Sequence, residues 1–199
     1  MENNVKIPSD LLNAKYLELD SIDSNGSQYI DTGVVASTIG GLKFACTRTG
    51  WGAYTRIIGL KSSNNLNIQG SSYTSYDVEI NGSSGSVTVN SDTENIFEFV
   101  QGDPVCEFYL NGNYIRSYST LSTSSDNLWI NRGGGSYYGY FKYRFFKIYD
   151  NSNDLLRDYI PAIRVSDGAT GMLDRQNNVF YKSAGAGAFI PGAIVGTIY

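Results

Sequence analysis

The side chains best equipped for chemistry in this chain of 199 residues are acidic and aromatic, because it contains no histidine. That removes the commonest general base and metal ligand, and it excludes a Ser-His-Asp or Cys-His nucleophilic site. The two cysteines, Cys46 and Cys106, stand far apart in strand-like runs. Without histidine they do not make a zinc site, and they read as buried free thiols rather than a disulfide framework. Glycoside hydrolysis needs two carboxylates about 5–10 Å apart. The nearest candidates are Asp77 and Glu79, which flank Val78 with no third acid following. Glu94 and Glu98 would share one face of a strand, but about 13 Å apart. No catalytic residue is assigned, and the chain reads as a non-enzyme. The Asp- and Asn-rich runs 150–154 and 174–178 offer the oxygen ligands that calcium takes. Turns select the same residues for backbone reasons. Nothing in the spacing demands a metal, and no cofactor is expected.

Carbohydrate binding is the chemistry the remaining residues suit. Aromatic faces stack on apolar sugar faces while amides and carboxylates fix the hydroxyls. Residues 132–140 (RGGGSYYGY) place Arg132, Tyr137, Tyr138 and Tyr140 on one glycine-rich loop. A second turn, 50–56, carries Trp51 and Tyr54. The competing reading is that these rings cover a sheet edge and the glycines merely turn the chain. With 16 Tyr and 22 Gly, the composition fits an adaptable recognition surface and equally a sandwich core with its turns. Lys plus Arg number 15 against 19 Asp plus Glu, a net charge of -4. No basic cluster is present, so nucleic acid is not an expected partner.

The elements that must position these residues are strands. Residues 42–49, 94–101 and 105–110 alternate apolar with polar, and many short runs recur at roughly 8–12-residue spacing, as in a sandwich or jelly roll. Asn111-Gly112 between two such runs marks a tight hairpin. In 141–149 the alternation slips at Phe145 and Phe146, which predicts a β-bulge. Pro161 cannot donate to a ladder, so its end of the returning strand 155–163 is expected at a sheet edge. Composition does not break along the chain, which predicts one domain. The start, MENNVKIPSD, lacks a basic and apolar leader, so no signal peptide is expected. No apolar run approaches the ~18 residues of a membrane-spanning helix.

Several blocks bear a resemblance to one family. They are QYIDTG (28–33), EFYLNGNYI (107–115), NLWIN (127–131), KIYD (147–150), LRDYIP (156–161), GMLD (171–174), NNVFY (177–181) and AGAGAF (184–189). In order and spacing the chain from Tyr16 to Phe189 resembles the laminin-G-like, concanavalin A-type jelly-roll modules of phage and prophage virion proteins. Asn131 stands where those modules usually carry glycine. The resemblance implies an all-β, antiparallel two-sheet jelly-roll sandwich over 16–189. A short docking segment (1–15) would precede it, and an apolar tail (190–199) would follow, packed on its own sheet or on a partner subunit. It also implies a bacteriophage virion surface protein, made in the host cytoplasm. Other virion proteins, host cell-surface glycans and further copies of itself are the implied partners. Host-glycan adhesion is the first reading, with Arg132, Tyr137, Tyr138, Tyr140, Trp51 and Tyr54 as ligand-binding residues. The alternative is a purely structural capsid-decoration, fibre or tail component. A glycoside hydrolase is a distant third.

Overall fold

The computed structural model describes residues 5–50, 55–63, 65–72, 74–90, 93–102, 105–134 and 137–199, with Tyr137 described through its backbone. Among these residues the regular structure is strand, apart from two 3-10 turns at Ser9–Leu11 and Ala36–Thr38. The strands form an antiparallel two-sheet sandwich of the jelly-roll kind, with a short accessory ribbon.

The larger sheet has twelve strands. Its main path runs β11 (Asn113–Tyr118), β10 (Cys106–Leu110), β9 (Asn95–Gln101), β4 (Ile39–Arg48), β15 (Phe141–Asp150), β16 (Leu155–Arg164), β1 (Tyr16–Leu19) and β20 (Ile194–Ile198). β17 (Ala169–Asp174) pairs the opposite side of β16 and carries β18 (Val179–Lys182). β2 (Ile22–Asp23) pairs β15 and carries β19 (Ile190–Pro191). The second sheet has six strands in the order β3 (Ile30–Val35), β12 (Asn127–Ile130), β5 (Thr55–Leu60), β6 (Leu66–Ser72), β7 (Ser75–Ile80) and β8 (Ser83–Thr88). β13 (Arg132–Gly133) and β14 (Tyr137–Tyr138) form the ribbon.

Alternation explains which face of each strand is buried. On β9, Phe97 and Phe99 point inward; on β10, Cys106, Phe108 and Leu110 do. Register then aligns the rings across the large sheet. Phe44 stacks on Phe97 and on Phe146, each at 4.9 Å, and Phe99 stacks on Phe108 at 4.6 Å. This phenylalanine row is the spine of the core. Truncating a buried ring of this type to alanine costs about 3–5 kcal/mol. The outer face of the same sheet carries ion pairs instead. Lys43 meets Glu98 at 3.0 Å, and Asp158 lies 2.7 Å from Arg175 and 3.7 Å from Lys147.

The predicted bulge is present, one residue earlier than the sequence pattern suggests. Pairing of β15 with β4 shifts between Tyr143 and Phe145, leaving Arg144 as the extra residue. Phe141, Tyr143, Phe146 and Ile148 are all fully buried as a result. Pro161 is a correction, because β16 is an interior strand. On one side Pro161 pairs Met172 of β17. On the other side, β15 pairs β16 up to Tyr159 and β1 takes over from Ala162. Pro161 therefore sits at the changeover between two neighbours, where no ladder hydrogen bond is asked of it.

The Asn111-Gly112 hairpin has φ of 54° and 78°, the mirror-image turn that suits strand twist. Asn81-Gly82 repeats it between β7 and β8, with φ of 47° and 78°. The 190–198 segment lies on its own sheet, with β19 against β2 and β20 against β1. At the other end of the chain, Val5, Ile7 and Leu11 pack against the main core.

Candidate functional site

The outward face of the six-stranded sheet concentrates hydrogen-bonding side chains. Leu66 and Ile68 point into the core, so Asn67 and Gln69 point away from it. By the same alternation Asp77 and Glu79 face outward on β7. Register lines them up in two rows. Asp31, Trp129, Gly59, Asn67, Glu79 and Ser84 are successive cross-strand partners from β3 to β8. Arg56, Gln69, Asp77 and Ser86 form the second row. Ser86 donates to Asp77 Oδ1 at 2.5 Å. Asn67 is 1% exposed although it faces away from the core. Among the described residues its Oδ1, like Gln69 Oε1, has no hydrogen-bond donor.

The ribbon forms a wall beside this floor. It lies directly over Gly59, where an added Cβ would fall 2.6 Å from Gly133 Cα. Only glycine lets the two backbones approach so closely. The Arg132 guanidinium carbon stands 4.5 Å from the Trp129 ring, 4.6 Å from Tyr29 and 4.9 Å from Tyr138. Tyr29 and Trp129 are themselves 5.0 Å apart. An arginine enclosed by aromatic faces is held by cation–π attraction of about 0.5–2 kcal/mol per good pair. The cluster presents the half-buried Tyr138 and Tyr29 beside the polar rows.

A buried polar network anchors the ribbon. Asn131, fully buried at φ 68°, has left-handed backbone that asparagine and glycine tolerate. Its Nδ2 donates toward Ser24 Oγ (2.6 Å), the Gln28 carbonyl (2.7 Å) and the Gly139 carbonyl (3.0 Å). The Tyr143 hydroxyl lies 3.1 Å from Asn131 Oδ1 and 2.9 Å from the Ile57 carbonyl. Burial pushes that hydroxyl far above the usual tyrosine range, so it stays a donor. Asparagine tolerates this left-handed conformation as glycine does, and its amide adds bonds that glycine could not make.

The structure brings together only part of the sequence-predicted site. Arg132 and Tyr138 are cross-strand partners in the ribbon and touch. Tyr140 lies elsewhere, packed on Gly26 and Gly50, where it closes the sandwich end. Tyr137 pairs Gly133 through its backbone, and its side chain lies outside the described residues, as do Trp51 and Tyr54. Tyr29 and Trp129 were not anticipated. Phase could have found Trp129, because Leu128 and Ile130 both face the core. Of the acids weighed for hydrolysis, Glu94 is bound by Arg144 at 2.6 and 2.8 Å, and Glu98 by Lys43. Only Asp77 and Glu79 stand on the candidate face. The two acidic turns serve backbone groups. Asp150 accepts from the Ser152 and Asp154 amides, and buried Asp174 accepts from the Asp158 and Gln176 amides. No cluster suited to holding a metal ion occurs among the described residues. A cleft of about 260 Å³ opens at the sandwich end, lined by Asn25, Ser27, Gln28, 186–188 and Ile190. Its polar groups brace one another, with Ser27 Oγ and Gln28 Nε2 both donating to the Ala186 carbonyl.

No family model matches the chain, and no curated protein matches it by sequence. Solved structures do. One is a Bacteroides ovatus protein provisionally described as carbohydrate binding (TM-score 0.60, 12% identity), matched over 92% of this chain and 62% of that one. Another is the extracellular region of zebrafish Gpr126/Adgrg6 (TM-score 0.51, 14% identity), matched over 92% of this chain and 27% of that one. The chain thus spans less than two thirds of the length of either. At such identities the likeness establishes a shared fold.

Proposed function

We propose that this chain is a non-enzymatic, lectin-like recognition module. It binds glycans on the outward face of the six-stranded sheet, and it is displayed on a bacteriophage virion to hold the particle to its host. The observation that carries the binding reading is the row Trp129–Gly59–Asn67–Glu79. It places an aromatic ring, a carboxamide and a carboxylate in register on adjacent strands. Tyr138 and Tyr29 supply the stacking faces. Asp77 and Glu79 supply acceptors for sugar hydroxyls, and Arg132 fixes the rings that surround it. Carbohydrate binding in the provisional description of the Bacteroides ovatus protein, on the same fold, agrees with this reading. The virion assignment rests on the ordered blocks from QYIDTG to AGAGAF.

The test is a glycan array with host-cell binding as a second readout. Tyr138→Ala and Glu79→Gln should each weaken the best glycan about tenfold or more, the loss expected for one stacking or hydrogen-bonding contact of about 1.4 kcal/mol. Full binding in both variants would move the site elsewhere. The structural reading, a capsid-decoration or fibre component, would replace this one if no glycan binds while the chain co-purifies with particles.

A further inference from the structure

The open floor of the small sheet carries charge of one sign. β6, β7 and β8 contain no lysine or arginine. On their outward face stand two half-buried carboxylates, Asp77 and Glu79. Two residues apart on one strand, their Cα atoms are about 7 Å apart. Neither forms an ion pair among the described residues. Ser86 donates to Asp77, and the cross-strand partner of Glu79 is Ser84, so the neighbours on β8 are neutral hydroxyls.

The cations on adjoining elements do not neutralise the pair. All 15 lysines and arginines fall among the described residues. Arg56 is 6% exposed, with Gly133 of the ribbon against its side chain. The Arg132 guanidinium is enclosed by Trp129, Tyr29 and Tyr138. Arg116 lies on Gly85, which shares the inward side of β8 with Val87, and donates to the Ser84 carbonyl. Arg48 stands over the buried rings of Tyr76 and Phe141 and donates to the Ser72 carbonyl and the Thr55 hydroxyl. Lys61 follows the end of β5 and belongs to neither cross-strand row.

We propose that this face selects its glycan by charge: Asp77 and Glu79 admit uncharged or amine-bearing sugars and exclude sugars that carry carboxylate, sulfate or phosphate. The inference rests on the reading of this face as the glycan site. A sugar hydroxyl donates to a carboxylate, and an ammonium donates and adds Coulomb attraction. The tyrosine faces of the wall tolerate a cation as well. An anionic substituent brings only acceptors and a like charge to a floor with no free cation to receive it.

A glycan array tests this when each backbone is printed in three matched forms, with a hydroxyl, an amine or a carboxylate at the same carbon. In low salt the carboxylate form should bind the full chain at least about tenfold more weakly than the neutral form, as expected for a like charge set against two carboxylates. The amine form should bind at least as tightly as the neutral one. Raising salt from about 0.01 M to about 1 M cuts the screening length from about 30 Å to about 3 Å. Both gaps should then close from opposite sides while the neutral form is unmoved. Asp77→Asn should reduce the neutral-to-carboxylate ratio at least about threefold. Equal binding of neutral and carboxylate forms would overturn charge selection and leave the glycan site standing. So would a ratio indifferent to both salt and Asp77→Asn. Binding of no form on any backbone would overturn the glycan reading itself, and this inference with it. Should Asp77→Asn fail to fold, the wild-type salt series decides alone.

Discussion

Replacing Asn131 tests how the ribbon 132–138 is held. The side chain does two jobs: it occupies left-handed backbone at φ 68°, and its amide ties Ser24, Gln28 and Gly139 to the ribbon. Asn131→Gly keeps the first and loses the second. Gly139 O retains a bond from Ser24 Oγ at 3.0 Å, and the Tyr143 hydroxyl retains the Ile57 carbonyl. The Gln28 carbonyl loses the amide donor. One orphaned buried acceptor costs about 1–3 kcal/mol, and the vacated volume adds to it, giving about 2–4 kcal/mol. For a chain of this length, each kcal/mol lowers Tm by about 2–4 °C. Asn131→Ala adds about 1 kcal/mol for a Cβ in left-handed backbone. Asn131→Asp should be worst, because it turns a carboxylate toward the acceptors that the amide now serves. The assay is urea and thermal unfolding followed by near-UV circular dichroism. Asn131→Gly melting within about 2 °C of wild type, or Ala proving more stable than Gly, would refute the reasoning.

Further expectations concern titratable groups. Burial pushes the Cys106 thiol up to about 12 and the Cys46 thiol higher still, so neither should react with an aromatic disulfide reagent at pH 8 until the chain unfolds; rapid native reaction of either would contradict their placement. The Arg164 guanidinium, at 3.0 and 2.5 Å, holds the Asp167 carboxyl below its usual range. A depressed folded value contributes stability above the ordinary carboxylate pKa that is lost as pH falls through the folded one, so Asp167→Asn should flatten the acid limb of the urea midpoint below about pH 4. Asp23 has the opposite sign. Burial raises its carboxyl despite Lys142, so its contribution is present at low pH and is lost as pH rises through the raised value. Asp23→Asn should therefore be more stable than wild type at pH 7 and lose that advantage on acidification, which the same unfolding series would show.

Period-two alternation carried most of the fold, because each strand buries one face and a one-residue slip would expose all of it. It placed Phe44, Phe97, Phe99 and Phe108 on alternating strands, while their alignment with Phe146 into one row is a matter of register. Pro161 failed because strand-level reasoning sees one neighbour at a time, and the changeover from β15 to β1 along β16 is a tertiary fact. The site was less legible for a related reason. Loop composition drew attention to Tyr140, yet that ring is spent filling the space over Gly26 and Gly50. Trp129 looked like one more apolar strand residue, and nothing local shows that Arg132 folds back onto it. The aromatic box joins Tyr29, Trp129, Arg132 and Tyr138, so it exists only once β3, β12 and the ribbon are in register.

The two outer faces divide the molecule's polar capacity unequally, and this supports the proposal that recognition lies on the smaller sheet. On the large sheet the outward charges are matched by neighbours: Glu98 by Lys43, and Asp158 by Arg175 and Lys147. Exposed pairs of this kind add only about 0–1 kcal/mol each, but they occupy the groups that a ligand would need. On the small sheet, Asn67 Oδ1 and Gln69 Oε1 have no donor among the described residues. Folded chains rarely leave buried acceptors without a donor, since each costs about 1–3 kcal/mol unless water or a ligand supplies one. Both oxygens are themselves covered, Asn67 being 1% exposed, so the half-buried Asp77 and Glu79 in the adjoining strand positions are the groups open to donors from outside the chain. Sugar hydroxyls, which donate and accept at once, satisfy that requirement where an apolar partner would not.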